Sequence, residues 1–232
     1  MYLLADMKLL LVAATEAEIA PLLSHLRNHG EALSVNTFRK AQHEIHLCIT
    51  GAGMMATAYN LIKKIDRQGF DFAMQAGVAG SFSDDLVPGE LVIVQSERYG
   101  DLGAEDHYNF LDIFDLGLLG TDEVPFTNKE LRAPESDLLS KVTLKRVKGM
   151  TVNTGSGSAF TIKTRQEQFN CEIESMEGLA FHYVCLKENL AFAQVRSISN
   201  FVTPRDRESW KMKDAIINLN EWLINFIENL PA

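Results

Sequence analysis

Apolar runs and stretches of mixed polarity alternate along this chain, and the rhythm predicts strands separated by helices. Lys8–Ala14 is almost wholly apolar, the pattern of a strand buried on both faces. Thr15 stands where a helix N-cap is expected, with Glu16 and Glu18 in the first turn of a helix reaching Asn28. Leu33–Phe38 and Glu44–Ile49 read as hairpin strands around the polar turn RKAQH, and Gly51-Ala52-Gly53 opens a helix to Arg67. Phe72–Ala76 reads as a buried strand ending in a small-residue loop, GVAGS, and Glu90–Glu97 as another, started by the Pro88-Gly89 turn. Strand Arg146–Val152, helix Lys163–Asn170, strand Cys171–Ser175, helix Gly178–Glu188, strand Ala191–Ser197 and a closing helix over 209–228 complete the series. The order implies a single-domain, three-layer α/β/α fold with a mixed, mostly parallel central sheet, the early hairpin supplying the mixture. One domain is expected over residues 1–232, with 1–6 a candidate N-terminal extension. Tyr99–Arg132 mixes acids, glycines and aromatics without periodicity, which suggests a functional loop and a candidate lid.

Composition removes several classes of function. The chain has 232 residues, 46% apolar and 23% charged, with a formal net charge of -9. An acidic balance repels a phosphate backbone, and no basic run offsets it, so no nucleic-acid partner is expected. The apolar run LLLVAA is far too short to span a bilayer, so no membrane partner and a cytoplasmic location are expected. Cys48, Cys171 and Cys185 are scattered and match no metal spacing, which suits reduced core thiols. No metal site and no cofactor are expected.

In doubly covered sheets, sites gather at the carboxyl ends of strands. There the chain carries Glu16 and Glu18, then GVAG, NTGSGSAFT, Met176-Glu177-Gly178 and Ile198-Ser199-Asn200. Two carboxylates with separate duties suit glycosidic chemistry, one activating water and one holding sugar hydroxyls or steadying a cationic sugar. An amide at Asn200 can read the edge of a heterocycle, and Phe160 can pack on a flat ring. Each residue also has a purely structural reading. First-turn acids serve the helix dipole, Met176 fills a core, Asn200 caps a turn, and His182 is a satisfied core histidine.

Five motifs in order, VAATEAEIAPLL, GAGMMATA, QAGVAGSF, NTGSGSAF and the pair SMEG and VRSISN, resemble the nucleoside phosphorylase/nucleosidase superfamily, above all its methylthioadenosine/S-adenosylhomocysteine nucleosidase branch. The resemblance covers nearly the whole chain. It implies that Glu18 positions and deprotonates the attacking water, and that Met176 and Glu177 meet the ribose. It implies that Phe160 stacks on a purine beside the backbone of Thr161, and that Arg196 lies beneath the site. Val78 replaces a serine of that branch. Asn200 replaces an aspartate, which favours a 6-oxopurine over adenine. A mismatched base would leave a buried polar pair unsatisfied, at about 1–3 kcal/mol.

The segments ERYGDLGAED, ESMEGLAFHYVC and RSISNFVTPRDRESW resemble the futalosine hydrolase branch, whose substrate is an inosine-like nucleoside bearing a benzoate through its 5′ carbon. That resemblance implies release of hypoxanthine in an alternative route to menaquinone. A guanidinium fork suits such a carboxylate, so Arg205 or Arg207 is expected near it and Trp210 on the arene, though RDRESW also reads as a solvated helix start. The acidic turn ATEAE favours water over phosphate as nucleophile. Adenosine-type nucleosidase, purine nucleoside phosphorylase and an inert nucleoside-binding module stay open. The resemblance also implies a small-molecule purine nucleoside as partner and a homodimer.

Overall fold

A computed structural model describes residues 6–230 of the chain. The suggested extension at residues 1–6 therefore falls, but for Asp6, outside the described residues. The elements run β1 (Lys8–Ala13), α1 (Glu16–His29), β2 (Glu31–Ser34), β3 (Thr37–Lys40), β4 (His43–Ile49), α2 (Met54–Ile65), β5 (Phe72–Ser81) and β6 (Leu91–Tyr99). Then come β7 (Gly103–Asp106), β8 (Asn109–Asp112), β9 (Leu131–Arg132), β10 (Lys145–Thr151), α3 (Ala159–Phe169), β11 (Ile173–Ser175), α4 (Gly178–Lys187), β12 (Phe192–Phe201) and α5 (Met212–Glu228).

The expected α/β fold with a mixed central sheet is present. The sheet has ten strands in the order β11-β10-β6-β12-β5-β1-β4-β3-β2, with β9 on β6. Strand β1 pairs in parallel with β4 and β5, and β12 with β5, while β12 meets β6 antiparallel. Side chains of a strand alternate between faces, and β1 divides accordingly. Leu9, Leu11 and Ala13 pack with α1 and α5 through Leu22, Leu26, Leu219 and Leu223. Leu10 and Val12 pack with α2 and α4 through Leu61, Phe181 and Cys185. Burial on both faces is why the strand is apolar without alternation.

Four local expectations need correction. GVAGS is no loop: β5 continues through it to Ser81, and β12 likewise runs on through Asn200 to Phe201. The end of β5 then meets β11, because Gly80 pairs with Glu174 and Ser81 with Ile173. The pairings β5–β12–β6–β10–β11–β5 thus close a circuit around Ala79, Val92, Val147, Ile173 and Ile198. A side chain at Gly80 would stand 2.8 Å from the Val202 methyl, so small residues there permit close strand approach rather than a turn. The stretch read as one strand, Leu33–Phe38, folds as a hairpin turning at Val35 and Asn36. Helix α3 starts at Ala159, not Lys163, because the Ser158 side chain accepts from Thr161 N and caps it. The segment 99–132 contains the β7–β8 hairpin and its own apolar cluster with Phe114, Phe126 and Leu131.

Helix α1 contains Pro21, and its backbone is non-helical at Ile19. Asn220 of α5, 1% exposed, repairs the break. Its Oδ1 accepts from Leu22 N at 3.0 Å, and its Nδ2 donates to Glu18 O at 2.8 Å and Ile216 O at 2.7 Å. The amide is inserted into the broken rung between Glu18 and Leu22. Asn220→Ala orphans both backbone groups and is expected to lower stability by about 2–4 kcal/mol in urea unfolding, with unchanged secondary structure at low denaturant.

Candidate functional site

Five strand ends border one cleft of about 740 Å³. Ala14 and Thr15 follow β1, Val78–Gly80 end β5, Val152 follows β10, Ser175 ends β11, and Ser199 and Asn200 end β12. Glu18, Val78, Met176, Glu177 and Asn200 all line it, so the motifs converge although they lie far apart in sequence.

Glu18 is fixed by its position as the third residue of α1. Its Oε2 accepts from Thr15 N at 2.9 Å and Thr15 Oγ1 at 3.1 Å, and its Oε1 accepts from Val78 N at 3.3 Å. The Val78 contact is made by backbone, so the loss of a serine hydroxyl at this position leaves it intact. Beneath lies Arg196, 1% exposed. Its Nη1 donates to Val78 O at 3.2 Å and Glu177 Oε2 at 3.5 Å, its Nη2 to Gln75 Oε1 at 3.1 Å, and its Nε to Gln194 Oε1 at 2.8 Å. Glu177 Oε1 accepts from Gly53 N at 3.0 Å. Gly77 makes this convergence sterically feasible. A Cβ there would lie 2.6 Å from Arg196 Nη1 and 2.9 Å from Glu18 Oε1.

Asn200 follows a bulge, since the β12 register against β5 shifts between Ile198 and Asn200. Such an irregularity re-aims a side chain at the end of a ladder. Its Oδ1 accepts from Ser199 Oγ at 2.8 Å and its Nδ2 donates to Phe201 O at 2.9 Å. One N–H and one oxygen lone pair remain for a ligand.

Phe160 and Thr161 are not in this cleft. Both line a neighbouring groove of about 490 Å³, and Phe160 is 63% exposed in the first turn of α3. The two spaces share Asn153 and Thr154 as a wall. Asp101 holds that wall, accepting from Asn153 N at 2.6 Å and Thr154 N at 2.9 Å, and Arg165 donates to Thr154 O at 2.9 Å. No residue of 99–132 lines the main cleft, so the segment is not its lid in this structure. Arg205 and Trp210 do line it, and the guanidiniums of Arg205 and Arg207 lie 5.4 Å and 5.9 Å from the Trp210 ring centre.

Sequence reasoning passed over the polar layer below the cleft. Glu97, Thr151 and Gln194 are fully buried there. Burial raises the Glu97 carboxyl to about 7, against hydrogen bonds from Thr151 and Gln194 and the charge of Arg196. The visible signal was an acid closing the apolar strand LVIVQSE. His182 is a satisfied core histidine, between Leu131 O at 3.3 Å and Gln194 Nε2 at 3.0 Å, and burial lowers it to about 3. The three cysteines are buried, and burial pushes the Cys171 thiol up to about 12. No helix among the described residues is long and apolar enough to cross a membrane.

Comparison with known proteins agrees with this fold. The family model described as the phosphorylase superfamily matches residues 8–228. A futalosine hydrolase of Streptomyces coelicolor is 27% identical over 68% of this chain, and the match spans 65% of that enzyme, just under two thirds of its length. A 5'-methylthioadenosine/S-adenosylhomocysteine nucleosidase of Colwellia psychrerythraea is 24% identical over 97% of this chain and 98% of its own. The solved structure of a Helicobacter pylori futalosine hydrolase superposes with a TM-score of 0.78 at 19% identity, covering 97% of this chain and 98% of that one.

Gly77→Ala forces Glu18 and Arg196 apart and is expected to cost about 1–3 kcal/mol in chemical denaturation. Gly69→Ala meets nothing within 4 Å and serves as the control, with a change within about 0.5 kcal/mol.

Proposed function

This chain belongs to the phosphorylase superfamily, and from that premise we propose that it hydrolyses the N-glycosidic bond of a purine nucleoside, futalosine being the substrate that fits best. The observation that carries hydrolysis is Glu18. A carboxylate pinned by Thr15 and the Val78 amide at the cleft repels phosphate but can hold and deprotonate a water. Glu18 guides that water to C1′ as the C1′–N9 bond loosens. Glu177, already anchored by Gly53 N and Arg196, takes the ribose hydroxyls, with Met176 and Val78 against the sugar. Negative charge from both carboxylates favours the oxocarbenium-like transition state over the neutral substrate.

Asn200 serves the base. Its remaining N–H donates to N7, shared with the 6-oxo oxygen of hypoxanthine, and carries the charge that develops on the leaving purine. The purine then lies toward Asn153 and Thr154. Stacking by Phe160 and a backbone contact at Thr161 require the first turn of α3 to swing inward on binding. For the 5′ group, the arene-and-cation cluster of Arg205, Arg207 and Trp210 at the cleft suits a benzoate, one guanidinium taking the carboxylate. A homodimer is expected, and the exposed apolar Met55 and Tyr59 of α2 beside Tyr183 of α4 supply a face that suits it.

One observation favours a second reading. The similarity to the Colwellia nucleosidase extends over nearly the full length of both chains, and the free Oδ1 lone pair of Asn200 can accept from a 6-amino group. Base release from futalosine, inosine and methylthioadenosine, each with and without phosphate, decides between them. Hypoxanthine from futalosine without phosphate is expected. Adenine from methylthioadenosine favours the second reading, and strict phosphate dependence replaces hydrolysis with phosphorolysis. Glu18→Ala is expected to lower kcat by about 100-fold or more. Joint replacement of Arg205 and Arg207 by Met is expected to raise KM for futalosine by about 10-fold and leave KM for inosine unchanged.

A further inference from the structure

Gln194 joins two buried charges, and its orientation is forced. The Arg196 Nε–H can only donate, so Gln194 turns Oε1 toward it at 2.8 Å. The Nε2 group must then face acceptors, and it meets Glu97 Oε1 at 3.0 Å and His182 Nε2 at 3.0 Å. His182 therefore carries its proton on Nδ1, toward Leu131 O. The other Glu97 oxygen accepts from Thr151 Oγ1 at 2.8 Å, whose own lone pair takes Leu179 N at 2.8 Å. The bonds from Arg196 through Gln194 and from Leu179 through Thr151 thus both run toward Glu97. Space is cleared for it, since a Cβ at Gly149 or Gly178 would collide with Glu97 Oε1 at 2.6 Å and 2.1 Å.

We propose that Glu97 is a positioning residue of the cleft: its carboxylate, acting through Gln194, fixes the Arg196 guanidinium whose Nη1 meets Val78 O and Glu177. Nothing in the catalytic scheme above uses Glu97, and the inference rests on that scheme only for its effect on turnover. The groups facing Glu97 are Thr151 from β10, Gln194 and Arg196 from β12, Glu177 from the start of α4 and the Cys171 thiol ahead of β11, while His182 inside α4 reaches it through Gln194. His182 stays neutral, and Cys171 stays a thiol, through the neutral range. Ionisation at Glu97 is the change left to this layer as pH rises through neutrality. The ionised form makes the stronger, charge-assisted bond to Gln194 and sharpens its hold on Arg196. Turnover should therefore fall as pH drops through the Glu97 transition.

Two measurements test this, one without catalysis. In nitrogen-15 NMR, the buried Arg196 Nε–H signal is expected to titrate in wild type between about pH 6 and 8 and to stay fixed in Glu97→Gln. In kinetics, Glu97→Gln is expected to lower kcat by about 10- to 100-fold with little change in KM, and to abolish the acidic limb of the kcat profile. Should that variant fail to fold, Thr151→Val removes a donor from the carboxylate and moves the limb to higher pH, and Thr151→Ser returns it. A pH-independent Arg196 signal in wild type, or pH profiles that superimpose in all variants, overturns the proposal. If wild type releases base normally and Glu97→Gln matches it, the positioning role fails and the functional reading stands. If wild type releases no base, the functional reading fails and the Arg196 titration alone decides the role of Glu97.

Discussion

A guanidinium at 1% exposure is a costly object unless each of its faces is met, and Arg196 meets this condition from three segments of chain. Gln75 and Val78 of β5, Gln194 of its own strand, and Glu177 at the head of α4 all receive its protons. Those segments are locked to one another as a result. Gly77 is the steric consequence, because a side chain there would occupy the space in which Arg196 and Glu18 approach each other. The floor of the cleft and the placement of Glu177 follow from satisfying one buried cation.

The walls follow from a different constraint. Strands β5 and β12 run on, still paired in parallel, past the point where a parallel sheet usually hands over to loops, and the end of β5 also takes antiparallel pairing with β11. The bulge before Asn200 absorbs the change of direction and aims its amide into the cleft rather than along the ladder. Above, the Asp101 and Arg165 contacts stiffen the wall at Asn153 and Thr154, and below, the Asn220 amide splints the kinked helix that carries Glu18. A site assembled from strand ends is held accurately because its supports are themselves hydrogen-bonded elements rather than free loops.

Most strands and helices were legible in the chain, because β1 is apolar on both faces and α1 opens with first-turn acids. Elements built from small residues were less so. GVAGS carries turn-forming glycines, and only the neighbours Glu174 and Val202 reveal that they serve close approach. Phe160 illustrates the limit for the site. Its motif was readable, but the Ser158 cap draws it into α3 and leaves it facing an adjoining groove.

The sequence by itself determined the alternation of elements, the mixed sheet and the set of strand-end residues, since burial pattern and capping chemistry are local properties. The tertiary structure decided which of those residues meet. Glu18 and Val78 are sixty positions apart, and Arg196 and Gln75 twice that. Polar groups in the interior take whichever partner the packing of distant segments brings within 3 Å or so. A buried acid such as Glu97 carries little signal in the sequence, and only the assembled layer shows that Thr151 and Gln194 both donate to it.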